Sequence, residues 1–267
     1  MHRTPPFSLL RRSSKGLPTV PLSVPASSPV EPLLLTSTRV ATFDGPRALS
    51  AASGFFFRRG ERLFLVTSRH VLSDEATGHM PNRIEFGLHQ RGPDLTREFL
   101  VPLWLYEGGK AQWRQASDAG GDIDVAAIEL PPSLLPPEAV WCAFGPEHLP
   151  VQLGAVHVGQ PLLVVGFPLG FHDTLHHLPV VRGAVVASAF GVRFQGQGCF
   201  VTDAPMHRGS SGAPVVRHHP EGDPQMPWQL LGVHASRMDM RTRDDKVDAS
   251  LGLNLAWYAD VLMALTD

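Results

Sequence analysis

Cysteine is nearly missing from this chain of 267 residues: Cys142 and Cys199 are the only two, far apart and outside any C-x-x-C pattern. That excludes a disulfide framework and a zinc knuckle, and leaves at most a single bridge that nothing in the sequence supports. Neither charge sign dominates, since 23 Lys and Arg stand against 25 Asp and Glu for a formal charge of −2. Neutralising phosphates needs a basic stripe, and without one nucleic acid is not an expected partner. Long hydrophobic runs are missing too. The longest nearly apolar stretch is eleven residues from Pro161 to Phe171, broken by two prolines and two glycines. A spanning helix needs about twenty, so no membrane span is expected.

What is present is a core-forming composition, 43% hydrophobic and 18% charged, which rules out disorder across the whole chain. Residues 1–32 stand apart, with seven prolines, many serines and no apolar periodicity, and read as a flexible arm. Pro18, Pro21 and Pro25 break the apolar core that an export signal after Arg11 and Arg12 needs, which favours the cytoplasm over export. From residue 33 to 267 the signal is β. Short runs rich in Val, Leu, Phe and Ile recur between Gly, Pro, Asp and Asn clusters, predicting strands over 36–43, 54–58, 63–67, 84–89, 98–105 and 125–130. Past a proline-rich joint at 131–137, six more are predicted over 161–167, 180–188, 192–203, 213–217, 228–236 and 251–257, then a short helical tail over 259–266. Two sets of six short antiparallel strands predict an all-β fold of two closed barrels, about 33–135 and 150–258, because closure removes exposed edges.

Three positions carry chemistry. In the segment ending Arg208-Gly209-Ser210-Ser211-Gly212, two glycines bracket Ser211. A serine hydroxyl is a poor nucleophile unless it sits on a tight turn whose N–H groups face the developing oxyanion, and glycine permits such a turn. Taken alone, the segment reads better as a polar loop between strands. His70 follows the strand-like run Arg62 to Thr67, and Asp124 directly precedes an apolar strand, which sets it above Asp118 and Asp122 as a buried acid. The order His70, Asp124, Ser211, with gaps of 54 and 87 residues, puts the first two on one strand set and the serine on the other. The site is then expected in the cleft between barrels.

On these residues the chain resembles the chymotrypsin-like serine peptidases, more closely the bacterial HtrA-type and glutamyl-endopeptidase branches. Thr202-Asp-Ala and Arg208-Gly-Ser-Ser-Gly resemble the nucleophile segment, Val66-Thr-Ser-Arg-His-Val the histidine segment, and Val165 to Gly170, Gly183 to Ser188 and Leu231 to Ala235 second-barrel strands. The resemblance implies a serine endopeptidase acting on polypeptides, with His70 as base, Asp124 as its orienter, Ser211 as nucleophile and the Gly209 and Ser211 N–H groups as oxyanion donors. It implies no metal or cofactor. Ser210 stands where digestive members carry an acid and Ala213 where most members have glycine, and no PDZ domain is expected after Trp257.

The resemblance also implies a specificity pocket with Pro205 as its floor, so trypsin-like cleavage is not expected. Met206, Arg208, His234 and Arg237 complete the expected substrate contacts. A small apolar residue before the scissile bond is the leading reading, and an acidic one held by His234 the other. Two rivals compete with the enzyme. An α/β-hydrolase elbow fails because acid and histidine precede the serine; a trypsin-fold module that binds protein without catalysis keeps the fold. The pairs His176-His177 and His218-His219 read as solvated loops rather than metal ligands, since adjacent side chains on a strand point apart.

Overall fold

The computed structural model describes residues 30–92, 95–237 and 252–267, with the side chains of Ser236 and Arg237 not described. Most of the expected N-terminal arm, and residue 251 where the sequence starts its last strand, lie outside the described residues. The chain is all-β. The first half opens with a meander of β1 (Ser37–Asp44), β2 (Arg47–Arg59) and β3 (Arg62–Thr67), turned at Gly45 and Gly60. One helical turn, α1 (Arg69–Leu72), leads to β4 (Arg83–Gln90) and β5 (Glu98–Trp104). Then come the two-residue strands β6 (Tyr106–Glu107) and β7 (Lys110–Ala111), β8 (Arg114–Asp118), β9 (Gly121–Leu130) and β10 (Ala139–Val140). The second half contains β11 (Pro161–Gly166), β12 (Val180–Val186), β13 (Cys199–Asp203), β14 (Pro214–His218), β15 (Trp228–Arg237) and β16 (Leu253–Tyr258), followed by α2 (Val261–Leu265).

The second-half strands close into a six-stranded antiparallel barrel in the order β11-β12-β13-β16-β15-β14. The first half departs from the expected second closed barrel of six. Its described pairs form an eight-stranded sheet, β10-β4-β1-β2-β3-β9-β8 with β5 on β4, that does not return on itself. Between the outer strands β5 and β8 the chain carries Gly108, Gly109 and exposed polar residues, and folds into the separate β6–β7 hairpin instead of bridging the gap. The strand expected over 192–203 is shorter than the sequence suggests, because Gly191 and Gly196 sit at φ of +83° and +82° and turn the chain before Cys199.

Alternation along β3 shows how the halves join. Its residues 63 to 67 are all buried, as in a strand covered on both faces. Leu65 packs with Phe56, Ile84, Phe86 and Ile128 inside the first sheet. Phe64 and Val66 face the other way, into a cluster with Phe55, Phe144, Val165, Val216, Val233 and Trp257 that both halves share. There Phe55 and Phe144 meet edge to face at 5.9 Å, an arrangement that contributes about 0.5–1.5 kcal/mol beyond burial. Leu262 and Leu265 of α2 join this cluster, and the Arg62 guanidinium donates to Thr266 O at 2.7 Å, pinning the last helix to the first half. Cys142 and Cys199 are buried free thiols, and burial pushes Cys142 up to about 12, which keeps it inert. Among the described residues no helix is long and apolar enough to cross a membrane.

Candidate active site

His70 lies on α1, whose neighbouring residues Val71 and Leu72 are buried and fix the turn at the end of β3. Asp124 lies on β9, where alternation buries Ile123 and Val125 and leaves Asp124 half-buried; Asp122 is exposed. The carboxylate holds the histidine at two points. Oδ1 accepts the His70 backbone N–H at 2.9 Å and Oδ2 lies 2.7 Å from His70 Nδ1. A carboxylate only accepts, so Nδ1 carries the proton and Nε2 presents its lone pair. Burial lowers the His70 pKa, but the Asp124 hydrogen bond and charge outweigh it and leave the imidazole above its usual value. Asp118 is elsewhere, paired with Arg193 at 2.8 Å.

Ser211 sits on a turn that only glycine can make at both ends. Gly209 and Gly212 have φ of +90° and +84°. A Cβ on Gly209 would lie 2.6 Å from Phe167 O, and one on Gly212 would overlap Ser53 O and Thr67 Oγ1 and lie 2.9 Å from Ser68 N. Gly212 therefore rests on the residue two before His70, which brings the Ser211 turn against the His70 turn. The Ser211 hydroxyl donates to Ala235 O at 3.1 Å rather than to His70. Ala213 is fully buried beside Gly166, whose missing side chain leaves room for the extra methyl.

The carbonyls along this turn are all held. Arg208 O accepts from Leu169 N at 2.6 Å, Gly209 O from Ser53 Oγ at 2.8 Å, Ser210 O from Ala213 N at 2.9 Å and Ser211 O from Ser53 N at 3.0 Å. Among the described residues neither the Gly209 nor the Ser211 N–H has a hydrogen-bond partner. Two fixed, unpaired donors on one turn are what a developing oxyanion requires. Leu169 supplies its N–H from a left-handed φ of +53°, a conformation unusual for a residue with a side chain.

Ser53 is the residue that sequence reasoning missed. It is fully buried on β2, its hydroxyl accepts Phe167 N at 2.9 Å while donating to Gly209 O, and its carbonyl accepts the Thr67 hydroxyl at 2.8 Å. Only three-dimensional neighbours distinguish it from the other serines near it in sequence, so no sequence signal was available. Ser53→Ala is expected to lower kcat about tenfold to a hundredfold with KM little changed, since it frees the turn without touching substrate. Steady-state kinetics check this, and an unchanged kcat rejects the role.

The expected substrate contacts are divided. Met206 and Ala204 are buried in the barrel interior, while a tight Met206 N to Ala204 O bond of 2.9 Å leaves Pro205 between them exposed. Arg208 is exposed; the Arg237 side chain lies outside the described residues. His234 is buried on β15, its backbone bonded to Gly212 and Ala213, with Nδ1 unpartnered. Burial, and then nearby His70, push its pKa down to about 4, so it is neutral at pH 7. His176 Nδ1 lies 2.7 Å from Asp173 Oδ2 and His177 Nδ1 3.2 Å from Glu98 Oε1, and among the described residues no group of three His, Cys, Asp or Glu could hold a metal.

No curated protein matches the chain. Among solved structures, a serine endoprotease from Yersinia pestis superimposes with a TM-score of 0.50 at 15% identity, covering 87% of this chain and 62% of that one. This chain therefore spans under two thirds of that protein. Rv3671c from M. tuberculosis H37Rv, in the inactive form of a serine-to-alanine mutant, gives a TM-score of 0.46 at 16% identity over 93% and 95% of the two chains. The trypsin-like peptidase domain family matches residues 52–222, a stretch that contains His70, Asp124 and Ser211 together with Ser53, and on that match the chain belongs to the trypsin-like serine peptidases.

Proposed function

We propose that the chain is a serine endopeptidase that hydrolyses peptide bonds through an acyl-enzyme. Ser211 attacks the scissile carbonyl once its hydroxyl turns from Ala235 O toward His70. His70 Nε2 takes the proton and returns it to the leaving amine, Asp124 holds the tautomer and stabilises the imidazolium, and the Gly209 and Ser211 N–H groups receive the oxyanion. The observation that carries this reading is the two-point hold of Asp124 on His70 beside a turn with two unpaired donors. A fluorophosphonate probe should label Ser211, mapped by peptide sequencing, and Ser211→Ala should abolish the label. The Ser211 hydroxyl bond to Ala235 O favours one rival, a trypsin-fold module that binds protein without catalysis, and a folded wild type that takes no label would establish it.

At the acyl side the neutral, buried His234 adds no charge, which supports preference for a small apolar residue before the scissile bond. A peptide-library digest is expected to show cleavage after Val or Ala that is indifferent to His234→Ala. Cleavage after Glu that disappears in that variant would replace the apolar reading with an acidic one, in which His234 donates to the substrate carboxylate.

A further inference from the structure

The Gly209 end of the nucleophile turn borders a cavity of about 330 Å3 that the chemistry above does not use. Phe167, whose carbonyl abuts Gly209, lines it, as do Arg39, Ala51, Glu98, His172 and His177. Residues 47 to 54 of β2 pair with β1 on one side only, because β3 begins its pairing at Phe55. Ser53 directs its N–H away from β1 to Ser211 O, so Ala51, two residues earlier, presents its backbone groups along the same open edge. A peptide leaving the nucleophile along this edge runs toward lower residue numbers of β2, hence antiparallel to it. At about 3.4 Å per residue, its second or third residue after the scissile bond reaches the cavity.

Each of the two acids lining the cavity already has a close nitrogen neighbour, whereas one cation has no acid beside it. Glu85 accepts a hydrogen bond from Arg83, and Glu98 Oε1 lies 3.2 Å from His177 Nδ1. His89 bonds His176 O at 2.8 Å, and His172 bonds Gly170 O at 2.7 Å, through its Nδ1. Arg39 is exposed, has no acid partner among the described residues, and holds its Nε 4.0 Å from the Cβ position of Gly170, over the loop that borders the nucleophile turn. A planar guanidinium at the mouth of a cavity accepts a carboxylate in a bidentate pair.

We propose that this cavity is a recognition site for the leaving segment of the substrate, in which Arg39 selects an Asp or Glu at the second or third residue after the scissile bond. The proposal deepens the endopeptidase reading and rests on it. Its test uses peptides that share one acyl side and carry Asp, Glu, Asn or Gln at those two positions. A substrate with the same acyl side and a small chromogenic leaving group serves as the reference for every rate.

Relative to that reference, the full chain is expected to cleave the acidic peptides with kcat/KM about tenfold above their amides. Arg39→Gln should erase the difference, and Arg39→Glu should reverse it in favour of Lys at the same positions. Equal rates for acid and amide in the wild type, or a preference that survives Arg39→Gln, overturn the site while leaving the peptidase reading intact. A wild type that turns over neither the reference nor any peptide overturns both.

Discussion

Ser211→Ala is expected to lower turnover about 10⁴-fold or more while the fold persists. The substitution removes the hydroxyl and its bond to Ala235 O and leaves the backbone of the turn held by Ser53, Leu169 and Ala213. The oxyanion donors therefore remain, but no acyl-enzyme can form, and the residual rate reports those donors and binding alone. Ser210→Ala provides the contrast. Ser210 is 1% exposed and its buried hydroxyl has no hydrogen-bond partner, so deleting it removes an unsatisfied buried group and should leave activity unchanged and stability unchanged or slightly higher. Rates of both purified variants on one peptide substrate, with thermal melts alongside, make the comparison. Loss of activity in Ser210→Ala with retention in Ser211→Ala would move the nucleophile by one residue.

The parts of this site that were legible in the sequence are those a short segment encodes by itself. Asp124 was separable from Asp122 because it directly precedes the apolar run of its strand, and the structure has Asp124 half-buried against His70 with Asp122 exposed. The glycines around Ser211 were legible because φ near +90° excludes nearly every other residue. Ser53 was not, because its importance comes from three distant backbone groups, Phe167 N, Gly209 O and Ser211 O, that only the fold assembles. The surroundings of Pro205 were not legible for a similar reason. Counting back from the nucleophile gives a position but not the local Ala204–Met206 turn that points the ring outward.

The strands follow the same division. The apolar runs that became β3, β9 and β11 declared themselves, whereas β6, β7 and β10 are two residues each and are defined only by the strand they pair with. Closure of a sheet is a relation between edges that are far apart in sequence. The second half achieves it because β11 and β14 pair through Leu163, Val164, Val215 and Val216, all apolar. In the first half the chain after β5 carries a polar hairpin, and the edge strand β8 alternates half-buried and exposed residues. That composition suits an edge facing water, and the open arrangement is its consequence.

Asp124→Asn should be nearly as damaging as loss of the nucleophile, through the proton rather than the fold. In the wild type both carboxylate oxygens accept, Oδ1 from the His70 backbone and Oδ2 from the ring. An amide of the same shape has one accepting oxygen, which the backbone N–H can take, and its NH2 then faces Nδ1. That nitrogen must become the acceptor, the ring proton moves to Nε2, and Nε2 can no longer take the proton of Ser211. The expected cost is up to about 10⁴ in kcat. The pH profile separates this from a packing defect. Asp124 is what holds the His70 pKa above its usual value against burial, and the base works only when neutral, so wild-type activity falls as pH drops through that raised value. Once the carboxylate is replaced by the amide, burial prevails, and the acid limb of kcat/KM should move to lower pH even as the plateau collapses. Asp122→Asn, on an exposed side chain, should change neither plateau nor limb. The reverse pattern in two folded variants would transfer the orienting role to Asp122.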